Sequence, residues 1–164
     1  MAKLAPHADL PQYQAVTREV LAAHRDEPGA LLPILHDIQD RLGAVPPEVL
    51  ALIAEDLCLS RAEVHGVVSF YHDFRASPPG RVHLKLCQAE ACQSMGAKAL
   101  TAELQEKLGL QLGETRADGS LTLEAVYCLG NCACAPSALL NGELHGRVDV
   151  EDLLDLVEEQ EARL

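Results

Sequence analysis

Tryptophan is absent from this chain, and three Tyr and two Phe are the only aromatic residues among 164. A core built on large rings is therefore excluded. Leu, Val, Ala and Ile must fill it, which suits helices packed on a small sheet. Basic residues are also scarce, 13 Lys and Arg against 25 Asp and Glu, for a net charge of −12. Nucleic-acid phosphate would be repelled, and no basic stripe offsets this, so no nucleic-acid partner is expected. The acidity is densest in EDLLDLVEEQEAR, residues 151–163, as a solvated helix face or a surface that steers toward a basic partner. No apolar run approaches the roughly 20 residues a membrane helix needs, so no membrane partner is expected. The N-terminal MAKLAPHADLPQYQAV lacks an apolar stretch long enough for a signal peptide. The expected location is cytoplasmic, where thiols stay reduced and structural disulfides are rare. Gly-x-Gly-x-x-Gly, Walker and Gly-x-Ser-x-Gly fingerprints are missing too. The chain is not expected to bind NAD or a flavin alone, nor to be an enzyme on its own.

What is present is a globular balance of 48% hydrophobic and 23% charged residues, with one strong break at Ser77-Pro78-Pro79-Gly80. Residues 1–76 read as an N-terminal helical bundle. Tyr13, Val16 and Val20 recur at helical spacing, as do Leu31, Leu35, Ile38 and Leu42. A third helix starts near Pro47 with Leu50, Ile53 and Leu57. A fourth starts at Ser60, whose partner Glu63 completes a capping box ahead of Val64, Val67, Val68 and Tyr71. Residues 81–164 change character. Arg81 to Leu86 alternates like a strand and runs into Cys87, and Gly96 to Leu108 is helical with Gly109 placed to end it. Leu121 to Tyr127 reads as a second strand running into Cys128. Ser137 to Leu140 is a third, turned by Asn141-Gly142 toward Leu144, and Asp149 caps a last helix. The order β-α-β-β-α describes an α/β layer with a hairpin, close to a thioredoxin-like sheet.

Four of the six cysteines form two pairs, Cys87/Cys92 as Cys-x4-Cys and Cys128/Cys132 as Cys-x3-Cys, with 35 residues between the pairs. Each pair begins directly after a strand-like run, so adjacent strands would bring the two loops side by side. Four converging thiolates in a reducing compartment bind a metal centre, and two loops with two thiolates each suit the flat rhomb of a [2Fe–2S] cluster. Ala89, Ala91, Gly96, Gly130, Ala133 and Ala135 keep the loops small, so that backbone N–H groups can approach the cluster sulfurs. Structural zinc is the alternative reading, although the tight Cys-x2-Cys knuckle is absent. A thioredoxin-like dithiol lacks its Cys-x-x-Cys, and a Rieske centre lacks Cys-x-His. Cys58, in Leu57-Cys58-Leu59, reads as a buried small hydrophobe. Cys134 is expected to lie beside the centre rather than ligate it. His65 and His72 could share a helix face, but no histidine pair has ligand spacing.

With these residues in place, the chain resembles the thioredoxin-like [2Fe–2S] ferredoxin family, which includes the flavoprotein-associated subunit of respiratory complex I and subunits of NAD-reducing hydrogenases. The resemblance runs from about Leu31 to the last helix and includes Val67-Val68-Ser69-Phe70-Tyr71 and Cys-Leu-Gly-x-Cys followed by Pro. Within the family, Ala89 to Gly96, Asn131-Cys132-Ala133-Cys134 and Leu144-His145-Gly146-Arg147 resemble the gamma subunit of NAD-dependent formate dehydrogenase. Complex I relatives usually carry Gly after the fourth ligand and no Cys at the position of Cys134. The resemblance implies an α+β fold, a helical bundle followed by a thioredoxin-like [2Fe–2S] domain. It implies a cluster on Cys87, Cys92, Cys128 and Cys132, and one-electron transfer beside a flavoprotein that binds FMN and NAD within a larger formate dehydrogenase complex.

Overall fold

The computed structural model describes residues 10–163. Residues 1–9, with His7 and the start of the expected bundle, and residue 164 lie outside that range. The chain divides into two compact units, one up to Pro78 and one from Pro79.

In the first unit the predicted apolar spacings become helices α1 (Leu10–Ala23), α2 (Leu31–Leu42), α3 (Leu50–Asp56) and α4 (Arg61–Phe70), with a 3-10 turn at Pro47–Val49 leading into α3. Val20, Ile34, Leu35, Ile38, Ile53 and Val64 are fully buried against one another. Burial of each large side chain contributes about 1.5–3 kcal/mol over leaving it in water. After α4 the chain folds back on α2. Gln39 is 9% exposed, and its amide donates to the Asp73 carbonyl at 2.8 Å and accepts from the Arg75 N–H at 2.9 Å. Both ends of a buried amide are thereby satisfied. Phe74 packs into the same cluster.

Two expectations fail in this unit. Helix α4 stops at Phe70, and Tyr71 turns extended (φ −86°, ψ 105°), so His65 and His72 do not share a helix face. Cys58 is exposed rather than buried. It occupies the left-handed position just past α3, at φ 53°. Its N–H bonds the Glu55 carbonyl, and the Leu59 N–H bonds the Ala54 carbonyl, which closes the helix end in a Schellman turn. The apolar neighbours suggested burial, but the turn points the side chain outward.

The second unit holds one five-stranded sheet in the order β2-β3-β1-β4-β5. Its strands are β1 (Val82–Cys87), β2 (Glu114–Thr115), β3 (Leu121–Val126), β4 (Ser137–Leu140) and β5 (Glu143–Gly146). Its helices are α5 (Glu90–Ser94), α6 (Ala97–Leu108) and α7 (Val150–Ala162). β1 and β3 pair in parallel, from Val82↔Leu121 to Cys87↔Val126, while the other neighbours pair antiparallel. The parallel pair requires a long crossover, and α5 and α6 lie in it. Helices α6 and α7 touch each other and both touch β1, so they share one face of the sheet. There Leu84, Leu104, Leu121, Leu123, Leu140 and Leu153 make the second core. Asp149 and Asp152 form a reciprocal capping box that starts α7. Helix α5 and strand β2 escape sequence reading because five and two residues are too short to show a period. No helix among the described residues is long and apolar enough to cross a membrane.

Left-handed backbone disfavours a residue with a Cβ, so Cys58→Gly should stabilise the first unit by about 0.5–1 kcal/mol. Urea denaturation checks this, and a loss of stability would refute the assigned turn.

Candidate metal centre

The parallel pairing of β1 with β3 positions the site. Cys87 ends β1 opposite Val126, and the Gln88 N–H donates to the Val126 carbonyl at 2.7 Å, extending the ladder by one residue. Cys128 follows two residues after Val126, so both cysteine loops leave the same ends of adjacent strands. Cys92 lies on the short helix α5 rather than in an open loop. Two side chains fasten this segment: Gln88 donates to the Thr101 hydroxyl on α6 at 2.8 Å, and Gln93 donates to the Gln88 carbonyl at 2.7 Å.

The two pairs meet different surroundings. Cys87 and Cys92 are 3% and 2% exposed and pack with Ala97 and Ala135, while half-buried Ala89, Val126 and Leu129 close around them. Cys128 and Cys132 are exposed, with Sγ atoms 3.8 Å apart. Two thiolates bound at about 2.3 Å to one tetrahedral ion stand about 3.8 Å apart, so this pair is spaced to share a metal. The Gly130 N–H donates to the Cys128 sulfur at 3.4 Å, and Cys128 itself sits at φ 121°, a conformation unusual for a residue with a side chain. Cys132 and Cys134 bound a 3-10 turn held by Asn131 and Ser137.

Electrostatics show that the pairs feel one another. The Cys92 thiol is pushed up first by burial, then by its hydrogen bond with Cys87 and by the charges of Cys87 and Cys132. A hydrogen bond from the Ser137 backbone opposes this. The Cys132 thiol is pushed up chiefly by its hydrogen bond with Cys128, then by the charge of Cys128, with a smaller contribution from Cys87. Raised in this way, the Cys92 and Cys132 thiols resist becoming thiolates unless positive charge joins them, which a metal centre supplies. Among the described residues, no three His, Cys, Asp or Glu side chains converge on a position for a single metal ion. The thiols come in two pairs, and a [2Fe–2S] cluster takes two terminal ligands on each iron. All six cysteines are free thiols.

Sequence reading located the four paired cysteines but missed their supports. Thr101 and Ser137 reach the loops only through tertiary structure, and Asn131 and Gly146, which lie in segments the resemblance singles out, carry no local sign of a supporting role.

Residues 17–161 match the thioredoxin-like [2Fe–2S] ferredoxin family. A component of the NADH-quinone oxidoreductase of Rhizobium meliloti is 37% identical over 84% of this chain and 82% of its own length. The NADP-reducing hydrogenase subunit HndA of Solidesulfovibrio fructosivorans is 33% identical over 87% of this chain and 84% of its own. Among solved structures, the NAD+-reducing [NiFe]-hydrogenase in the H2-reduced state superposes with a TM-score of 0.68 at 29% identity. That match covers 82% of this chain and only 22% of the hydrogenase chain.

The raised thiols give the metal-free protein a pH dependence. A thiol whose folded pKa lies above its unfolded value stabilises the fold below the ordinary thiol range, and that contribution is lost as pH rises through it. Stability of the metal-free, reduced protein should therefore fall as pH rises above the ordinary thiol value of about 8.5. The Cys92→Ser/Cys132→Ser variant should flatten the decline in urea denaturation, and an unchanged slope would refute the convergence of the thiols.

Proposed function

The chain belongs to the thioredoxin-like [2Fe–2S] ferredoxin family, and on that premise we propose that it is an electron-transfer subunit carrying one [2Fe–2S] cluster on Cys87, Cys92, Cys128 and Cys132. The observation that carries the ligand assignment is the placement of two thiol pairs at the ends of the paired parallel strands β1 and β3. Bound there, a [2Fe–2S] cluster supplies a one-electron redox step. The chain's own residues do the rest. Cys87 and Cys92, with Ala97 and Ala135, hold the buried side and keep water from it. Cys128 and Cys132 hold the side open to solvent, where an electron can enter or leave. The Gly130 N–H steadies the Cys128 thiolate, and hydrogen bonds of that kind raise the potential.

The partner we propose is a flavoprotein that binds FMN and NAD, with this chain seated next to its flavin. Tyr127, directly before Cys128, is 74% exposed, and Met95, just past α5, is 62% exposed. Large apolar side chains left in water on the loops of a redox site fit a surface that a partner covers. NAD- and NADP-linked complexes among the relatives support an assembly that exchanges electrons with a nicotinamide. Within it we propose formate as the electron donor, which rests on the Ala89 to Gly96, Asn131 to Cys134 and Leu144 to Arg147 segments. A role in a hydrogenase or NADH-quinone oxidoreductase is the second reading, favoured by the relatives themselves.

Anaerobic purification should yield about two iron and two sulfide per chain, with an EPR signal on reduction. Ser at any of positions 87, 92, 128 or 132 should sharply lower bound iron, and Cys58→Ser should leave the spectrum unchanged. Zinc without sulfide would refute the electron-transfer role, and full retention in all four variants would refute the ligands. For the donor, the complex captured through this chain should be reduced by formate; reduction by hydrogen or NADH alone would favour the second reading.

A further inference from the structure

Gly146 ends β5 at a place where its backbone needs no glycine: its φ is not in the left-handed range. What demands glycine there is space. A Cβ at this position would lie 2.5 Å from Asn131 Nδ2, 2.8 Å from Cys134 Cβ and 3.0 Å from the Cys134 carbonyl oxygen. These atoms belong to the turn that carries Cys132. The two Cys134 atoms cannot withdraw singly, because the Cys134 N–H bonds the Asn131 carbonyl at 2.9 Å, and the Cys134 carbonyl accepts from the Arg147 N–H at 2.7 Å and the Ser137 hydroxyl at 3.1 Å. Asn131 Nδ2 in turn donates to the Ser137 hydroxyl at 3.2 Å. Asn131 Nδ2 can swing aside by giving up that bond, but the Cys134 Cβ and carbonyl yield to a group added at Gly146 only if the 131–134 turn moves outward.

We infer that Gly146 is a positioning residue for the second thiol pair, and that Cys134 is its packing counterpart rather than a spare ligand. Close apposition of β5 and the turn holds Cys132 at its 3.8 Å separation from Cys128. A displaced turn breaks that spacing and exposes the metal side further. Cys134 meets Gly146 through Cβ and its carbonyl oxygen, atoms that alanine also possesses, so the sulfur itself is dispensable. This inference rests on the cluster assignment proposed above.

The test compares the full-length holoprotein with Gly146→Ala, Gly142→Ala and Cys134→Ala. Gly142 is the control: at φ 88° with nothing within 4 Å of its Cβ position, alanine there strains the hairpin without touching the turn. Gly146→Ala should speed chelator-driven loss of iron about tenfold or more and shift the EPR g values. Gly142→Ala should lower the melting temperature yet keep wild-type g values, and Cys134→Ala should keep both the cluster and its g values. If Gly146→Ala yields no soluble protein, adding Cys134→Gly, which removes one obstructing atom, should recover cluster binding. Wild-type loss rate and g values in Gly146→Ala, cluster loss in Cys134→Ala, or no recovery in the double variant would overturn the inference. A wild-type protein that carries no cluster would overturn the cluster assignment itself, and this inference with it.

Discussion

Parallel pairing of β1 with β3 is the constraint on which the second unit depends. Cys87 and Val126 stand opposite each other in the ladder, so two loops separated by a helical crossover start from neighbouring points. The crossover has to be long because parallel strands cannot be joined by a hairpin. The crossover holds α5, α6 and β2, and the 35 residues between the cysteine pairs run from the end of α5 through α6, β2 and β3. The wide sequence gap and the short spatial gap are two consequences of one topology. β4 then pairs with β1 on its other side, which brings Ser137 to the site as a backbone donor toward Cys92.

The site is lopsided in its solvation. One thiol pair is buried among alanines and the other faces water, so the same residue type meets two dielectric environments within one site. Burial raises the Cys92 thiol, whereas proximity to Cys128 dominates for the exposed Cys132. A centre held this way can be insulated on one side and reachable on the other, as electron transfer to a partner requires. The supports are correspondingly unequal: α5 and α6 brace the buried pair, and a single tight turn against β5 braces the exposed pair.

In the first unit, backbone closure overrides local composition at Cys58. Cys58 sits between two leucines, and local composition suggests a core position. Its location is set instead by backbone closure at the end of α3, where the carbonyls of Ala54 and Glu55 need donors and the chain must turn left-handed to supply them. The same unit contains a well-satisfied buried polar contact, Gln39 with the 73–75 segment, which spans more than 30 residues and has no local signature.

Periodicity and punctuation carried most of the architecture. Apolar spacing marked the longer helices, alternation marked β1, the capping residues Ser60 and Asp149 located two helix starts, and Asn141-Gly142 located the hairpin, because each is a local preference of the backbone. The two cysteine pairs were legible for the same reason: each is a short-range spacing directly after a strand. Elements too short for a period, α5 and β2, were not legible, since their form comes from what they pack against. Nor were the orientation of Cys58, the split between a buried and an exposed thiol pair, or the need for glycine at position 146. Those depend on which distant segments meet, and only the assembled sheet, with β5 folded back against the 131–134 turn, decides how much room each side chain has.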